Sequence, residues 1–185
     1  MNKTMLASAL LCGSALAMTG CQTVGGQMQT GNPLNQPTLK STINAVDGKK
    51  SEVGQVFLRP VDGGVQVYGK LMNLQPGKTV SLHIHETGSC DAMGKAAGGH
   101  FNPDNNPHSN PDDMDGHAGD LPNLTANDDG VATINYVNKK ISAAEGGKYS
   151  VNRLAFIVHG GVDDYTSQPA GDSGDRVACG IIKKS

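Results

Sequence analysis

The chain has 185 residues, a formal charge of −2, no Trp, seven aromatic residues (Phe 3, Tyr 4) and 25 glycines. This suits one mid-sized domain with many turns rather than two domains. The near-balanced charge and the lack of a basic run leave no footprint for nucleic acid or an acidic membrane surface, so an anionic substrate would need local positive charge.

Residues 1–20 carry Lys3, an apolar run from Met5 to Leu16 and small residues after it. This is a secretory signal peptide, and the run is too short to span a membrane. Met18-Thr19-Gly20-Cys21 resembles a bacterial lipobox, in which Cys21 becomes the lipidated first residue; cleavage after Ala15-Leu16-Ala17 is the alternative. Gln22, not Asp, follows Cys21. In a two-membrane bacterium this predicts a periplasmic protein anchored to the outer membrane, touching the bilayer only through its N-terminal lipid. Residues 21–38 have no apolar period and much Gln, Gly, Asn and Pro, the composition of a flexible tether before a domain over 39–185.

Alternation begins at Leu39. Leu39, Ile43 and Ala45 share one parity, and Val56 and Leu58 follow the Asp47-Gly48 turn. Asp62-Gly63-Gly64 separates QVFLRPV from VQVYGKLMNL, a hairpin signal because glycine tolerates the positive φ the turn needs. Gln75-Pro76-Gly77-Lys78 is the next turn. In the strand 79–85, Val80, Leu82 and Ile84 have core parity, which puts His83 and His85 together on the other face. Asn127-Asp128-Asp129-Gly130 is a turn, and Ala132, Ile134 and Tyr136 alternate after it. The segment 141–150 contains Gly146-Gly147 and is expected to be a loop with at most one helical turn. Leu154, Phe156 and Val158 place His159 on the outer face of a strand 153–159, and 177–182 closes the chain as a final strand. Short alternating runs bounded by Gly, Asp and Asn predict an all-β sandwich or barrel.

Two long loops interrupt this pattern, and the first carries most of the chemistry. Between His85 and Asp120 the chain is too rich in Gly, Asn, Asp and Pro for helix or strand, and a loop of that length needs a reason to be ordered. Metal is the economical one. His100, His108, His117 and Asp120 are spaced 8, 9 and 3 residues apart, enough donors for a closed four-coordinate zinc site. His83 and His85, two apart on a strand, can converge on one ion, although such a pair by itself also occurs on ordinary surfaces. With Cys12 in the signal and Cys21 lipidated, only Cys90 and Cys179 remain to pair, with two free thiols as the alternative. Their bridge would close a loop of about 90 residues, worth on the order of 4 kcal/mol in the chain-entropy model.

The motifs HIHETGSC, GGHFNP, HAGDLPN, VHGGVDDY and DRVACG together resemble the copper/zinc superoxide dismutases, specifically the bacterial periplasmic branch, over residues 50–183. The resemblance implies an eight-stranded antiparallel Greek-key barrel, with superoxide as substrate and monomer or homodimer both open. It implies that His83, His85, His100 and His159 bind copper and that His100, His108, His117 and Asp120 bind zinc, with His100 as a shared imidazolate. Four imidazoles suit copper in both oxidation states, and three imidazoles with a carboxylate suit zinc. It pairs Cys90 with Cys179, docks the substrate anion on Arg176, makes Asp163 the carboxylate that fixes ligand tautomers, and gives Lys95 a steering role. Ser81-Leu82 and Ser109-Asn110 depart from the family pattern near ligands. A non-catalytic copper/zinc-binding envelope lipoprotein with the same fold is the rival reading; His100 and Arg176 favour the enzyme, since a metal store needs neither a bridge nor an anion dock.

Gly171-Asp172-Ser173-Gly174 resembles the nucleophile loop of trypsin-like proteases, but Asp175 follows and no histidine is left to serve it. The run 111–116 lacks the first acidic ligand and the final Glu of a calcium loop.

Overall fold

A computed structural model describes residues 37–185 of the chain. The expected signal peptide, Cys21 and nearly all of the expected tether lie outside the described residues. Nine strands follow: β1 (Leu39–Ala45), β2 (Glu52–Val61), β3 (Gly64–Leu71), β4 (Thr79–His85), β5 (Leu124–Thr125), β6 (Ala132–Asn138), β7 (Ala155–His159), β8 (Arg176–Ile181) and β9 (Lys183–Lys184). Every pairing is antiparallel, in the order β5-β4-β7-β8-β1-β2-β3-β6, with β9 continuing β8 along β1. β5 lies beside β6, so the eight strands form a nearly closed barrel. Pairing β3 with β6 and β4 with β7 requires long connections across the barrel ends, the mark of a Greek key.

Side-chain alternation builds the interior as expected. Leu39 and Ile43, Val56 and Leu58, Val65, Val67 and Leu71, Val80, Leu82 and Ile84, and Phe156 and Val158 are all buried in one core. Each such side chain contributes roughly 1.5–3 kcal/mol by leaving water. Val61 pairs with Gly64 around Asp62-Gly63, which is the anticipated hairpin. Ala45 departs from the core parity because the register with β2 shifts between Ile43 and Asn44.

The structure refines the sequence reading in several places. Residues 141–150 are a loop, as expected, and an isolated bridge between Ser142 and Ser150 closes the segment. β7 begins at Ala155, because Arg153 takes a left-handed φ of 70° that ends the extended run. The last strand breaks at Ile182, and the two-residue β5 carries too little pattern to be seen in sequence. Most important, the second face of β4 is not exposed: every residue from Val80 to His85 is buried. β7 is likewise buried along its whole length, so His159 faces outward from the barrel but not into water.

The cover is the first long loop. β5 pairs only with Thr79 and Val80, which leaves the far end of that β4 edge free. The loop takes it: Phe101 N–H donates to Ile84 O at 2.8 Å, Ile84 N–H to Gly119 O at 2.9 Å, and Glu86 N–H to Gly99 O at 3.0 Å. An otherwise unpaired strand edge thereby fixes His100 on one side and His117 to Asp120 on the other. A Cβ on Gly119 would strike the Ile84 carbonyl and the Phe101 nitrogen, so only glycine lets the loop lie this close.

Candidate metal centre

The predicted ligands meet in two groups. The side-chain donor atoms of His83, His85, His100 and His159 lie within 4.8 Å of one another, and so do those of His100, His108, His117 and Asp120. His100 belongs to both. All seven residues are buried, none more than 6% exposed. β4 supplies His83 and His85, β7 supplies His159, and the first long loop supplies the rest.

Hydrogen bonds on one ring nitrogen decide what the other can do. His85 Nδ1 lies 3.0 Å from Gly98 O, and His159 Nδ1 lies 3.2 Å from Gly174 O. A carbonyl only accepts, so both Nδ1 atoms carry the proton and both Nε2 atoms are bare. Those two Nε2 atoms face each other at 3.3 Å. Burial, with the nearby His100, pushes His85 down to about 2. Burial, against the bond to Gly174, pushes His159 down to about 4. At neutral pH the pair therefore points lone pair at lone pair, an arrangement that a cation between them makes favourable.

Asp163 does the same for two further rings. Its Oδ2 accepts from His83 Nε2 at 2.8 Å and its Oδ1 from His108 Nε2 at 2.8 Å. The Nδ1 atoms of His83 and His108 are thus freed for ligation, and neither has a hydrogen-bond partner; His100 Nε2 and His117 Nδ1 are also buried without one. Burial pushes His83 down to about 3, outweighing its bond to Asp163. His108 behaves differently: burial pulls it down, but the neighbouring carboxylates of Asp120 and Asp163 hold it up at about 9. Two carboxylates at this position demand a positive charge. Asp120, despite its burial, is driven far below the usual carboxylate range by His100, His108 and His117. His100 Nδ1 and Asp120 Oδ1 are 2.8 Å apart, with His108 Nδ1 and His117 Nδ1 at 3.1 and 3.4 Å from the same carboxylate.

The donor chemistry fits both metals. One group is all imidazole nitrogen, compatible with copper; the other is three imidazoles and a carboxylate, a closed zinc set.

A cavity of about 330 Å³ opens over the first group, lined by His85, His100, His159, Arg176, Asn102 and Ala170 among others. Arg176 is half-buried, with Nη1 donating to Gly94 O and Nη2 to Gly98 O, each at 2.6 Å. Cys90 and Cys179 are disulfide-bonded, their Cα atoms 5.7 Å apart, which ties the segment 90–98 to β8 beside Arg176. Lys95 is exposed on a single 3-10 turn, Lys95–Ala97, and is not among the cavity-lining residues. Ser81, a departure from the family pattern, is buried with its hydroxyl donating to Gly161 O at 3.2 Å.

Several supporting groups were not singled out from the sequence. Asn123 grips the backbone of Asp163 from both sides, its Nδ2 donating to Asp163 O at 2.8 Å and its Oδ1 accepting from Asp163 N–H at 3.0 Å. Glu86 Oε1 accepts from Gly99 N–H at 2.9 Å, one residue before His100. Gly171 packs where a Cβ would overlap the Asp163 carboxylate. Such partners leave little trace in one sequence, because an Asn, a Glu or a Gly in a polar loop reads as ordinary turn chemistry.

Comparison with known proteins agrees with this chemistry. A superoxide dismutase [Cu-Zn] of Aquifex aeolicus is 37% identical over 149 residues, 78% of this chain and 88% of that protein. A superoxide dismutase-like protein of Bacillus subtilis is 32% identical over 183 residues, 91% of each. A crystal structure of a SOD-like protein from Bacillus subtilis, with a Tyr and a Pro each replaced by His, matches with a TM-score of 0.70 at 35% identity, over 77% of this chain and 95% of that one. The family pattern described as copper/zinc superoxide dismutase (SODC) matches residues 52–182. That span takes in every residue of both donor groups, and the chain belongs to the copper/zinc superoxide dismutase family.

Proposed function

We propose that the chain converts two superoxide anions and two protons to dioxygen and hydrogen peroxide, and that it does so in the cell envelope. The observation that carries this reading is the sharing of His100 between an all-nitrogen group and a nitrogen-and-carboxylate group. Copper would be held by His83 Nδ1 and the Nε2 atoms of His85, His100 and His159. Zinc would be held by the Nδ1 atoms of His100, His108 and His117 with Asp120. Bound copper supplies the one-electron couple, and bound zinc a fixed positive charge.

The remaining work belongs to the chain. His100 offers a nitrogen to each group, and its Nε2 is the atom placed to take up and return a proton during turnover. Asp120 and its zinc-site neighbours keep the other nitrogen oriented. Arg176, fixed by two carbonyls, presents a permanent positive charge at the cavity wall, where it docks the anionic substrate. Asp163 holds the tautomers of His83 and His108 together. Lys95, exposed near the same segment, adds positive potential along the approach. Cys21 would anchor the protein by lipid in the periplasm; the apolar run before it and the polar stretch after it support that placement.

The test is superoxide decay by stopped flow, using a soluble form beginning after Cys21, first metal-free and then loaded with one equivalent each of copper and zinc. Fast decay only when copper is present is expected. Stoichiometric binding of both metals without turnover would instead make this a metal-binding protein in a dismutase fold.

A further inference from the structure

The second long loop, between His159 and Arg176, crosses back over the first at His108. Gln168 makes the crossing. Its Oε1 accepts from His108 N–H at 2.8 Å and its Nε2 donates to His108 O at 2.8 Å. Both hydrogen-bonding groups of one peptide-bearing residue are thus taken by a single side-chain amide. The imidazole of His108 is held by the same loop, through Asp163 Oδ1. Three bonds from one loop therefore set a residue that lies on the other.

The clamp is reciprocal. Asn123 reaches from the end of the first loop to grip the backbone of Asp163 on the second, and Gln168 reaches from the second to grip His108 on the first. Gln168 is itself placed by a turn in which Asp164 accepts from the N–H groups of Thr166 and Ser167 at 2.9 and 2.8 Å and from Ser167 Oγ at 2.6 Å. Its next two neighbours, Pro169 and Ala170, line the cavity shared by His85, His159 and Arg176. Gln168 is exposed, so its replacement leaves no hole in the core.

We propose that Gln168 is a positioning residue for zinc: its amide holds His108 Nδ1 in the zinc-binding geometry and locks the second loop closed over the centre. This rests on the zinc assignment given above. A metal ligand on a polar loop costs conformational entropy to place, and a two-point backbone clamp removes that cost before the metal arrives. The selective consequence is on zinc, because the all-imidazole group takes its histidines from β4, β7 and the His100 segment and none from His108.

The experiment measures zinc and copper release from the fully loaded full-length chain into excess chelator, for wild type, Gln168→Met, Ser167→Ala and His117→Ala. Methionine keeps the length of glutamine and removes both bonds. Gln168→Met is expected to speed zinc release by about tenfold or more while copper release stays at the wild-type rate. Cobalt placed in the zinc site should show an altered visible spectrum in Gln168→Met and an unaltered one in Ser167→Ala, which loosens the loop but leaves the clamp residue intact. Equal zinc release in wild type and Gln168→Met would overturn the clamp, as would an equal acceleration of copper release in Gln168→Met. Zinc binding left untouched by His117→Ala would overturn the zinc assignment itself, and the clamp with it.

Discussion

Arg176 and His85 donate to the same atom, the carbonyl oxygen of Gly98, at 2.6 and 3.0 Å. One backbone group thereby sets the distance between the positive charge at the cavity wall and a nitrogen donor of the all-imidazole group. Arg176→Ala should lower the second-order rate for superoxide by about tenfold or more at low salt, with weaker salt dependence and unchanged copper content. Stopped-flow rates and metal analysis on the same preparation check this. Loss of copper in the variant would show that Arg176 holds the site together rather than docking the anion.

Asp163 touches one ring from each donor group, so its loss should weaken both metals. Asp163→Ala is expected to reduce copper and zinc affinity by roughly 10–100-fold each, measured by competition with chelators of known strength. A drop confined to one metal would mean that the bond to the other ring is incidental. Gly171→Ala should mimic the effect in milder form, because the new Cβ displaces the Asp163 carboxylate.

Metal removal should cost stability, since the loaded protein relieves the facing lone pairs of His85 and His159. Free metal at a thousandfold excess over its dissociation constant stabilises the folded state by about 4 kcal/mol. Calorimetry of metal-free and loaded protein should therefore give well-separated unfolding temperatures. Coincident transitions would contradict the donor assignment.

The bridge between Cys90 and Cys179 has a sequence separation of 89. Cys90→Ser with Cys179→Ala should cost about 2–5 kcal/mol in denaturant unfolding of the metal-free protein. Because the bridge tethers the segment that bears Gly94 and Gly98, the loaded variant should also turn over more slowly.

Asp164 is exposed, and its hydrogen bonds from Ser167 and Thr166 lower its carboxyl to about 2. A depressed carboxylate contributes its stability in full above the ordinary Asp value near 4 and loses it as pH falls toward about 2. Protection of the amides of Thr166 and Ser167 from hydrogen exchange should weaken across that window, and Asp164→Ala should remove the pH dependence.

The sequence by itself determined the kind of chemistry and most of the strand plan. Period-two alternation marked the interior of β2, β4, β6 and β7, because each strand has only two faces and one of them must be apolar. The motifs HIHETGSC, GGHFNP, HAGDLPN, VHGGVDDY and DRVACG carried the resemblance to the family, and the resemblance implied the ligand sets. Tertiary structure decided what that pattern cannot encode. The parity of His83, His85 and His159 placed them off the core, yet all three are buried, because the first long loop completes the β4 edge that β5 leaves open. Which nitrogen of each ring is free to bind depends on Gly98 O, Gly174 O and Asp163, partners 13 to 80 residues away in the chain. Hydrogen bonds between loops depend on where the backbone finally lies, and an isolated Asn123, Glu86 or Gln168 carries no periodicity from which that position could be read.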